Sequence, residues 1–342
     1  MTAPGIEPAL AVMIDAVFDA HHEPQASTMA GPDSALWRQL DELGLIRLTG
    51  SESAGGSGAG WYEAAELLAA AVRHSVRIPL AENDLLACWL LETLGAQMDG
   101  AARTVCLLDE EGRARAVPWA SRAQRIVVVW RRHGDYRAAE LEPGDVRIQP
   151  GTNMIGEPRD IVVADTEAFS GFPLSPDLLG KLRMKSALVR SIQVCAAMDK
   201  ALELSVDHSR SREQFGRPLS KFQAVAHLIS DIAAEATLAR SATEAALSAA
   251  IASEWSAPQL EFLVAAARSC AGHAASVVAR NAHQVHGAIG TTAEHRLHHF
   301  TRAALAWRSE FGSVQYWDDR VTDLAMRADR LWSLISTVDE EM

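Results

Sequence analysis

The sequence predicts a mainly α protein with a small β domain set into its middle. Three features predict it: helical periodicity through residues 1–98, short β-rich runs in residues 99–173, and a nearly unbroken helical pattern over residues 174–342. These are the three expected domains: an N-terminal helical domain, a reduced antiparallel sheet and a C-terminal bundle of four or five helices. With 342 residues the chain is long enough to bury a substantial core. Its net charge of −12 argues against nucleic acid as a partner, because no broad face would neutralise phosphates, yet it leaves room for a local cationic pocket.

In the first domain, Ala35 to Leu45 sets Leu36, Leu40 and Leu43 on one side of a helix that ends around Gly44. Trp61 to Val72 repeats the pattern with Ala64, Leu67, Leu68 and Ala71. The tract between them, Gly50 to Gly60, is a loop without the lysine and threonine of a phosphate loop. A third helix, Ala81 to Leu94, follows the break at Pro79. No basic leader precedes the first apolar residues, and no apolar run approaches the roughly 20 residues that span a bilayer, so a cytoplasmic protein with no membrane contact is expected.

The middle domain changes character. TVCLL, RIVVVW and DIVVAD are β-rich runs separated by the turn-like DEEG, RRHGD and EPGD, and together they imply a small antiparallel sheet or partial barrel. No glycine fingerprint follows a strand, so a Rossmann unit is not expected. Gly156-Glu157-Pro158-Arg159 reads as a turn at the sheet edge. The four cysteines, Cys88, Cys106, Cys195 and Cys270, are widely separated in apolar settings and read as buried free thiols.

Five helices are expected in the last domain: Leu179 to Ser211, Ser220 to Ser253, Pro258 to Val285, Ala293 to Ser309 and Val314 to Val338. Alanines at interior positions suit close packing, and Trp255, Trp307, Trp317 and Trp332 are expected in the core or an interface. The stretch RSREQFGRPLSKFQ, Arg210 to Gln223, reads as a corner between two helices. Gly216 supplies the positive-φ stop, Pro218 discourages continuation, and Ser220 with Gln223 resembles a capping box. The corner carries Arg210, Arg212 and Arg217, which suits either an anion such as pyrophosphate or a solvated helix end. His283, His286, His295, His298 and His299 have no ligand set beside them except Glu294, so no metal is expected there, only a subunit seam or solvent. Asp207 and His208 read as a solvated face.

Arg212, Phe215, Gly216, Pro218, Phe222 and Gln223 form an R-x-x-F-G-x-P-x-x-x-F-Q pattern that resembles the acyl-CoA dehydrogenase family. AHQVHGAIGTTAEH, Ala282 to His295, with Gln284, Gly287 and Gly290, is a second such segment; Trp37, LDELGLIRL and the glycines of SESAGGSGAG are a third. The resemblance covers most of the chain except its middle. It implies FAD held between two subunits, with the helical domain supplying Arg212, Phe215, Gly216, Gln223, Gln284, Gly287 and Gly290 to the diphosphate and adenosine. It also implies a tetramer, an acyl-CoA substrate and an electron-transfer flavoprotein as electron acceptor. Arg159 is then a secondary candidate for a CoA phosphate.

This chain departs from the family pattern where chemistry is expected. Ala288 follows Gly287, where two adjacent glycines are common, and nothing between Ala96 and Trp119 resembles the T-E-P-x-A-G-S-D run that contacts flavin. The sheet region is short. In TRAALAWRSEFGS the residue before Gly312 is Phe311, so Glu310 lies one position early for the family's base, a rotation of about 100° on a helix. The alternative position used in the isovaleryl-CoA dehydrogenase subgroup falls on Ser186, between Lys185 and Ala187. Glu310 therefore stands as a weak candidate base, and the catalytic residue is otherwise unassigned. The expectation is a companion subunit of a heteromeric acyl-CoA dehydrogenase, whose longer partner holds the flavin ring and the base. Some actinobacterial enzymes acting on steroid side-chain CoA esters resemble this arrangement. The alternative is a non-catalytic assembly protein of the same fold that binds no flavin.

Overall fold

The computed structural model describes residues 6–22, 28–329 and 334–335. Trp332 and the end of the last expected helix lie outside the described residues. The chain divides into two compact units, residues 1–185 and 186–342.

The first unit opens with α1 (Pro8–Ala20), β1 (Thr28–Met29), α2 (Ala35–Glu42), α3 (Trp61–Arg73) and β2 (Val76–Arg77), which pairs in parallel with β1. Ser34 caps α2 by accepting from the Trp37 amide at 3.1 Å, and Gly44 at φ +71° turns the chain away. The glycine tract is a folded loop around Arg47, which bonds the Ala54 carbonyl and pairs with Glu92 at 3.3 Å. A Cβ on Gly56 would lie 2.2 Å from the Gly50 carbonyl, so the tract's composition serves backbone packing. The third expected helix begins as a wider π-helical segment, Ala81–Cys88, before continuing as α4 (Trp89–Thr93). All eight π residues are buried. Their polar side chains tie neighbouring segments together: Asn83 donates to the Ile46 carbonyl at 2.8 Å and accepts from the Arg103 amide at 2.8 Å.

Seven strands follow: β3 (Arg103–Leu107), β4 (Arg113–Pro118), β5 (Arg125–Arg132), β6 (Asp135–Leu141), β7 (Arg147–Gln149), β8 (Arg159–Val163) and β9 (Phe172–Leu174). They form a sheet of order β3-β5-β6-β9 and a second of order β4-β8-β7. Pairing is antiparallel except between β3 and β5, which run parallel. The parallel pair requires the chain to leave the sheet and return, and β4 fills that excursion. Ile126, Val128 and Trp130 alternate inward from β5 to meet Cys106, Val162 and Ala139 in one apolar core. Arg159 is not at an open edge: its guanidinium pairs with Glu157 at 2.7 Å, with both side chains buried. A buried cation already paired with a carboxylate is unavailable to a CoA phosphate, contrary to the expectation for Arg159.

The second unit is helical. It contains most of α5 (Pro176–Ser211), then α6 (Gln223–Ala252), α7 (Leu260–His286), α8 (Leu297–Trp307) and α9 (Val314–Arg327). In α7 an alanine-rich inner face packs on α6 and α9. By length and mean hydropathy, 1.4 over its apolar window, the segment Leu260–Thr291 is sufficient to cross a bilayer, contrary to the sequence expectation. Alanine accounts for the difference, since it raises hydropathy without forming an obvious apolar run. Of that window 56% is buried within the protein, as for a core helix. Trp255, Trp307 and Trp317 are all buried. Cys88, Cys106 and Cys195 are buried free thiols, and Cys270 is half-buried. Burial pushes the Cys88 thiol up to about 11, and those of Cys106 and Cys195 to about 12, which makes them poor nucleophiles.

Candidate functional site

The charged corner is built differently from the sequence expectation. α5 ends at Ser211, and the chain then makes a two-residue hairpin, β10 (Glu213–Gln214) against β11 (Arg217–Pro218). Phe215 and Gly216 form its tip at φ +53° and +76°. Two consecutive positive φ values are the requirement of a type I′ turn, whose twist matches that of the flanking strands. Gly216 thus serves the hairpin tip, and it is not the stop of α5. The capping box does not form either: Ser220 lies in a 3-10 turn, Leu219–Lys221, and α6 starts after Phe222 with no side-chain cap.

This geometry fixes Arg212 by its backbone and frees its side chain. The Arg212 amide donates to the His208 carbonyl and its carbonyl accepts from the Leu219 amide, each at 2.9 Å. Among the described residues its guanidinium meets no hydrogen-bond acceptor or carboxylate, and it is exposed. Arg217 instead lies over the Phe222 ring, 4.2 Å from the centroid. Phe215 is 92% exposed at the tip, 6.2 Å from Phe222 between ring centroids.

Arg212 borders an open pocket of about 670 Å³. Gln284, Gly287 and Ala288 from the end of α7 line it, with His208, Leu219 and His286 also on its wall. Gly287 ends α7 at φ +62°, ψ −141°, a conformation that favours glycine, and a Cβ there would meet nothing within 4 Å. Gly290 is buried one turn on, where a Cβ would lie 2.7 Å from that of His286. Of the seven expected cofactor residues, Arg212, Gln284 and Gly287 converge on the pocket. Phe215 and Gly216 form the adjoining hairpin tip, Gly290 supports the turn from below, and Gln223 is exposed at the start of α6. An unpaired guanidinium, an exposed amide and a side-chain-free backbone turn suit the oxygens of a diphosphate, so these residues fit the tail of a dinucleotide such as FAD.

His208 is not on a solvated face. Its ring stacks on that of His286 with centroids 4.5 Å apart, and His295 meets His286 edge-on at 4.6 Å. The stacked pair lies 78 residues apart in the chain (286 − 208), and helical periodicity carries no signal for it.

Glu310 occupies a closed environment in the same unit. Its Oε2 accepts from Arg190 Nε at 2.8 Å, with side-chain exposures of 11% and 1%. Arg190 also bonds Gln193 at 2.6 Å and lies 5.0 Å from the Phe311 ring centroid. Arg268, buried on α7, donates to the Glu310 carbonyl at 2.7 Å and the Arg308 carbonyl at 3.1 Å, satisfying backbone oxygens left open where α8 ends. Burial, followed by repulsion from Arg190, lowers the Arg268 guanidinium to about 10. Glu310 therefore acts as an internal counter-ion within a ligated turn.

At the position where the isovaleryl-CoA dehydrogenase subgroup carries its base, Ser186 is buried and follows Lys185. The Lys185 ammonium sits between Trp61 and Trp89, 4.5 and 4.4 Å from their ring centroids. Burial lowers it to about 7. Asp84, nearby on the π segment, accepts two bonds from Thr49 at 3.0 Å and is raised by burial to about 6.

Comparison with known proteins agrees with this architecture. Residues 180–321 match the C-terminal domain of acyl-CoA dehydrogenases. Over 321 residues the chain is 28% identical to acyl-CoA dehydrogenase IpdE2 of Mycobacterium tuberculosis, covering 89% of this chain and 92% of that protein. It is 24% identical to acyl-CoA dehydrogenase FadE27 of the same organism, across 85% and 88% of the two chains. Among solved structures, a chain of the ChsE4-ChsE5 complex from M. tuberculosis superposes with a TM-score of 0.81 at 21% identity, covering 94% and 97% of the two chains. The Tcur3481-Tcur3483 steroid ACAD gives a TM-score of 0.79 at 21% identity, with 93% and 97% covered. Residues 180–321 thus match the acyl-CoA dehydrogenase C-terminal domain, and the chain is similar to acyl-CoA dehydrogenases over nearly its full length in sequence and in fold.

Proposed function

We propose that this chain is a companion subunit of a heteromeric, FAD-dependent acyl-CoA dehydrogenase, and that it supplies the diphosphate and adenosine half of a flavin site completed by a longer partner chain. The observation that carries the reading is the contrast in availability: Arg212 stands exposed and unpaired on a pocket with Gln284 and Gly287, while Glu310 is held by Arg190. The chain thus presents a binding element and holds its candidate base in an internal ion pair. The two structural neighbours described above include a two-component complex and a two-component steroid ACAD, which supports a hetero-oligomeric assembly, a tetramer by family resemblance. FAD would supply hydride acceptance from the β-carbon of the acyl-CoA, with electrons passing on to an electron-transfer flavoprotein. Arg212 would bind two phosphate oxygens in a fork, Phe215 would offer a flat face to adenine, and Gln223 and Gly216 would shape the tip. Acyl-CoA esters of steroid side chains are the proposed substrate class.

A second reading, an assembly protein of the same fold that binds no flavin, draws on Ala288, whose methyl group lines the pocket in place of a glycine. Co-expression with a longer acyl-CoA dehydrogenase chain as the candidate partner, followed by absorption spectra of each purified species, separates the two. Flavin in the mixed complex and none on this chain alone is the expected result. Flavin in neither favours the assembly protein, and flavin with turnover on the lone chain overturns both.

A further inference from the structure

The three histidines His208, His286 and His295 come from the end of α5, the end of α7 and the loop before α8, and each brings one ring nitrogen within 4.8 Å of the others'. Convergence of three imidazoles from three segments is unusual unless something holds them together. The tautomer of the central ring points to what that is. His286 Nδ1 donates to the Ala282 carbonyl at 2.8 Å, which places the ring proton on Nδ1 and leaves the lone pair on Nε2. That Nε2 is buried and has no hydrogen-bond partner among the described residues. A buried acceptor without a partner costs on the order of 1–3 kcal/mol, so a further ligand is called for at this nitrogen.

We propose that His208, His286 and His295 form a binding site for one divalent transition-metal cation of the zinc class. The donor set suits it: imidazole is a preferred ligand of zinc, and a backbone carbonyl holding the far ring nitrogen is the usual orienting contact of a ligating histidine. Burial lowers each of the three imidazoles from its ordinary value, the direction that favours the neutral form; for His286, at about 4, the neighbouring histidines add to the effect. His295 would give up the 3.2 Å bond it accepts from the Leu297 amide or turn its ring, and the stacked pair would unstack. Drawing the nitrogens from within 4.8 Å to the about 3.3 Å of a tetrahedral zinc site takes rotation of His208 and His295, both only half-buried. Three protein ligands leave a fourth position for water or an anion, and two of the rings already line the Arg212 pocket.

This site is independent of the flavin assignment, and its test uses the isolated full-length chain without flavin. Chain treated with chelator is titrated with zinc chloride by calorimetry, and with cobalt(II) to read coordination from visible absorption. One equivalent should bind, with the strong visible bands of a tetrahedral cobalt centre. His295→Ala and His208→Ala, on half-buried positions that leave the core intact, should each weaken zinc at least about tenfold. His273→Ala, which removes a histidine paired with Asp318 elsewhere, should leave affinity unchanged. Affinity that is equal in the wild type, His295→Ala and His208→Ala, or cobalt spectra of an octahedral aquo ion, would overturn the site.

Discussion

Two arginine-bearing turns in the helical unit make opposite use of the same side chain. At the hairpin corner the backbone of Arg212 is clamped from both sides and its guanidinium faces an open pocket. At the end of α8 the side chains of Arg190 and Arg268 are spent on Glu310 and on backbone carbonyls. A guanidinium that is already paired and buried adds nothing to ligand binding but is expensive to remove; an exposed, unpaired one contributes little to stability and is available to an anion. Location in an arginine-rich motif does not separate these cases. The partner does.

The largest effect is expected from breaking the closed turn. Arg190→Ala leaves Glu310 nearly buried without its counter-ion, and should lower unfolding free energy by about 3–5 kcal/mol in chemical denaturation of the isolated chain. Arg212→Ala should stay within about 0.5 kcal/mol of wild type in the same assay. Comparable losses for the two would erase the distinction and with it the reading of Arg212 as a ligand group.

A second closed cation, in the other unit, sharpens the same contrast through pH. Lys185 is lowered to about 7 in the folded chain by burial, partly opposed by Asp84, from an ordinary 10.5. Between those values the unfolded chain binds the proton and the folded chain does not, so this group makes stability rise with pH from about 7 to 10.5. Lys185→Met keeps an apolar stem between Trp61 and Trp89 while removing the buried charge. It should stabilise the chain at neutral pH by on the order of 1–4 kcal/mol and flatten that rise. Denaturation midpoints at pH 7 and pH 10 check it; parallel pH slopes in wild type and variant would show that Lys185 is not the source.

Much of the fold was legible because its signals are local and repeated. The long bundle helices follow from period and alanine content, and most of their ends fall within a few residues of expectation; α9 is the exception, stopping at Arg327 where Ala328 turns extended, well before the expected Val338. The hairpin was not legible, because glycine, proline and a serine followed by glutamine also describe a helix stop and a cap. What decides for a hairpin is the bond from Leu219 to Arg212, which only the path of the following chain permits. Glu310 illustrates a different limit. Its position two residues before Gly312 is visible in the sequence, but the residue that neutralises it is 120 positions away, and the histidine stack between α5 and α7 spans 78. The cofactor motif itself was readable residue by residue, whereas its separation into pocket wall, hairpin tip and buried support depends on how α5, the hairpin and the end of α7 come together in the fold.

An effect of intermediate size should appear at the open turn once a partner is present. Arg212→Ala should weaken flavin retention by the mixed complex by roughly 10- to 100-fold, the worth of about 1.5–3 kcal/mol for hydrogen bonds to a charged group. Arg212→Lys should recover only part of it, because an ammonium cannot fork across two phosphate oxygens. Flavin released on dilution and read by fluorescence measures the difference. Full rescue by lysine would mean that the corner supplies charge alone.

The smallest effect tests the tip. An aromatic residue at φ +53° is held where asparagine or glycine would be more comfortable, and at 92% exposure an edge contact with Phe222 at 6.2 Å offsets little of it. Strain retained at an exposed position is expected where the side chain serves something outside the protomer. Phe215→Asn should therefore raise the stability of the isolated chain by about 0.4–1 kcal/mol, while the mixed complex loses flavin more readily than wild type. The two readouts must move in opposite directions. A variant that is more stable and retains flavin equally well would show that the hairpin is no more than a connection between α5 and α6, and that the adenine face lies elsewhere.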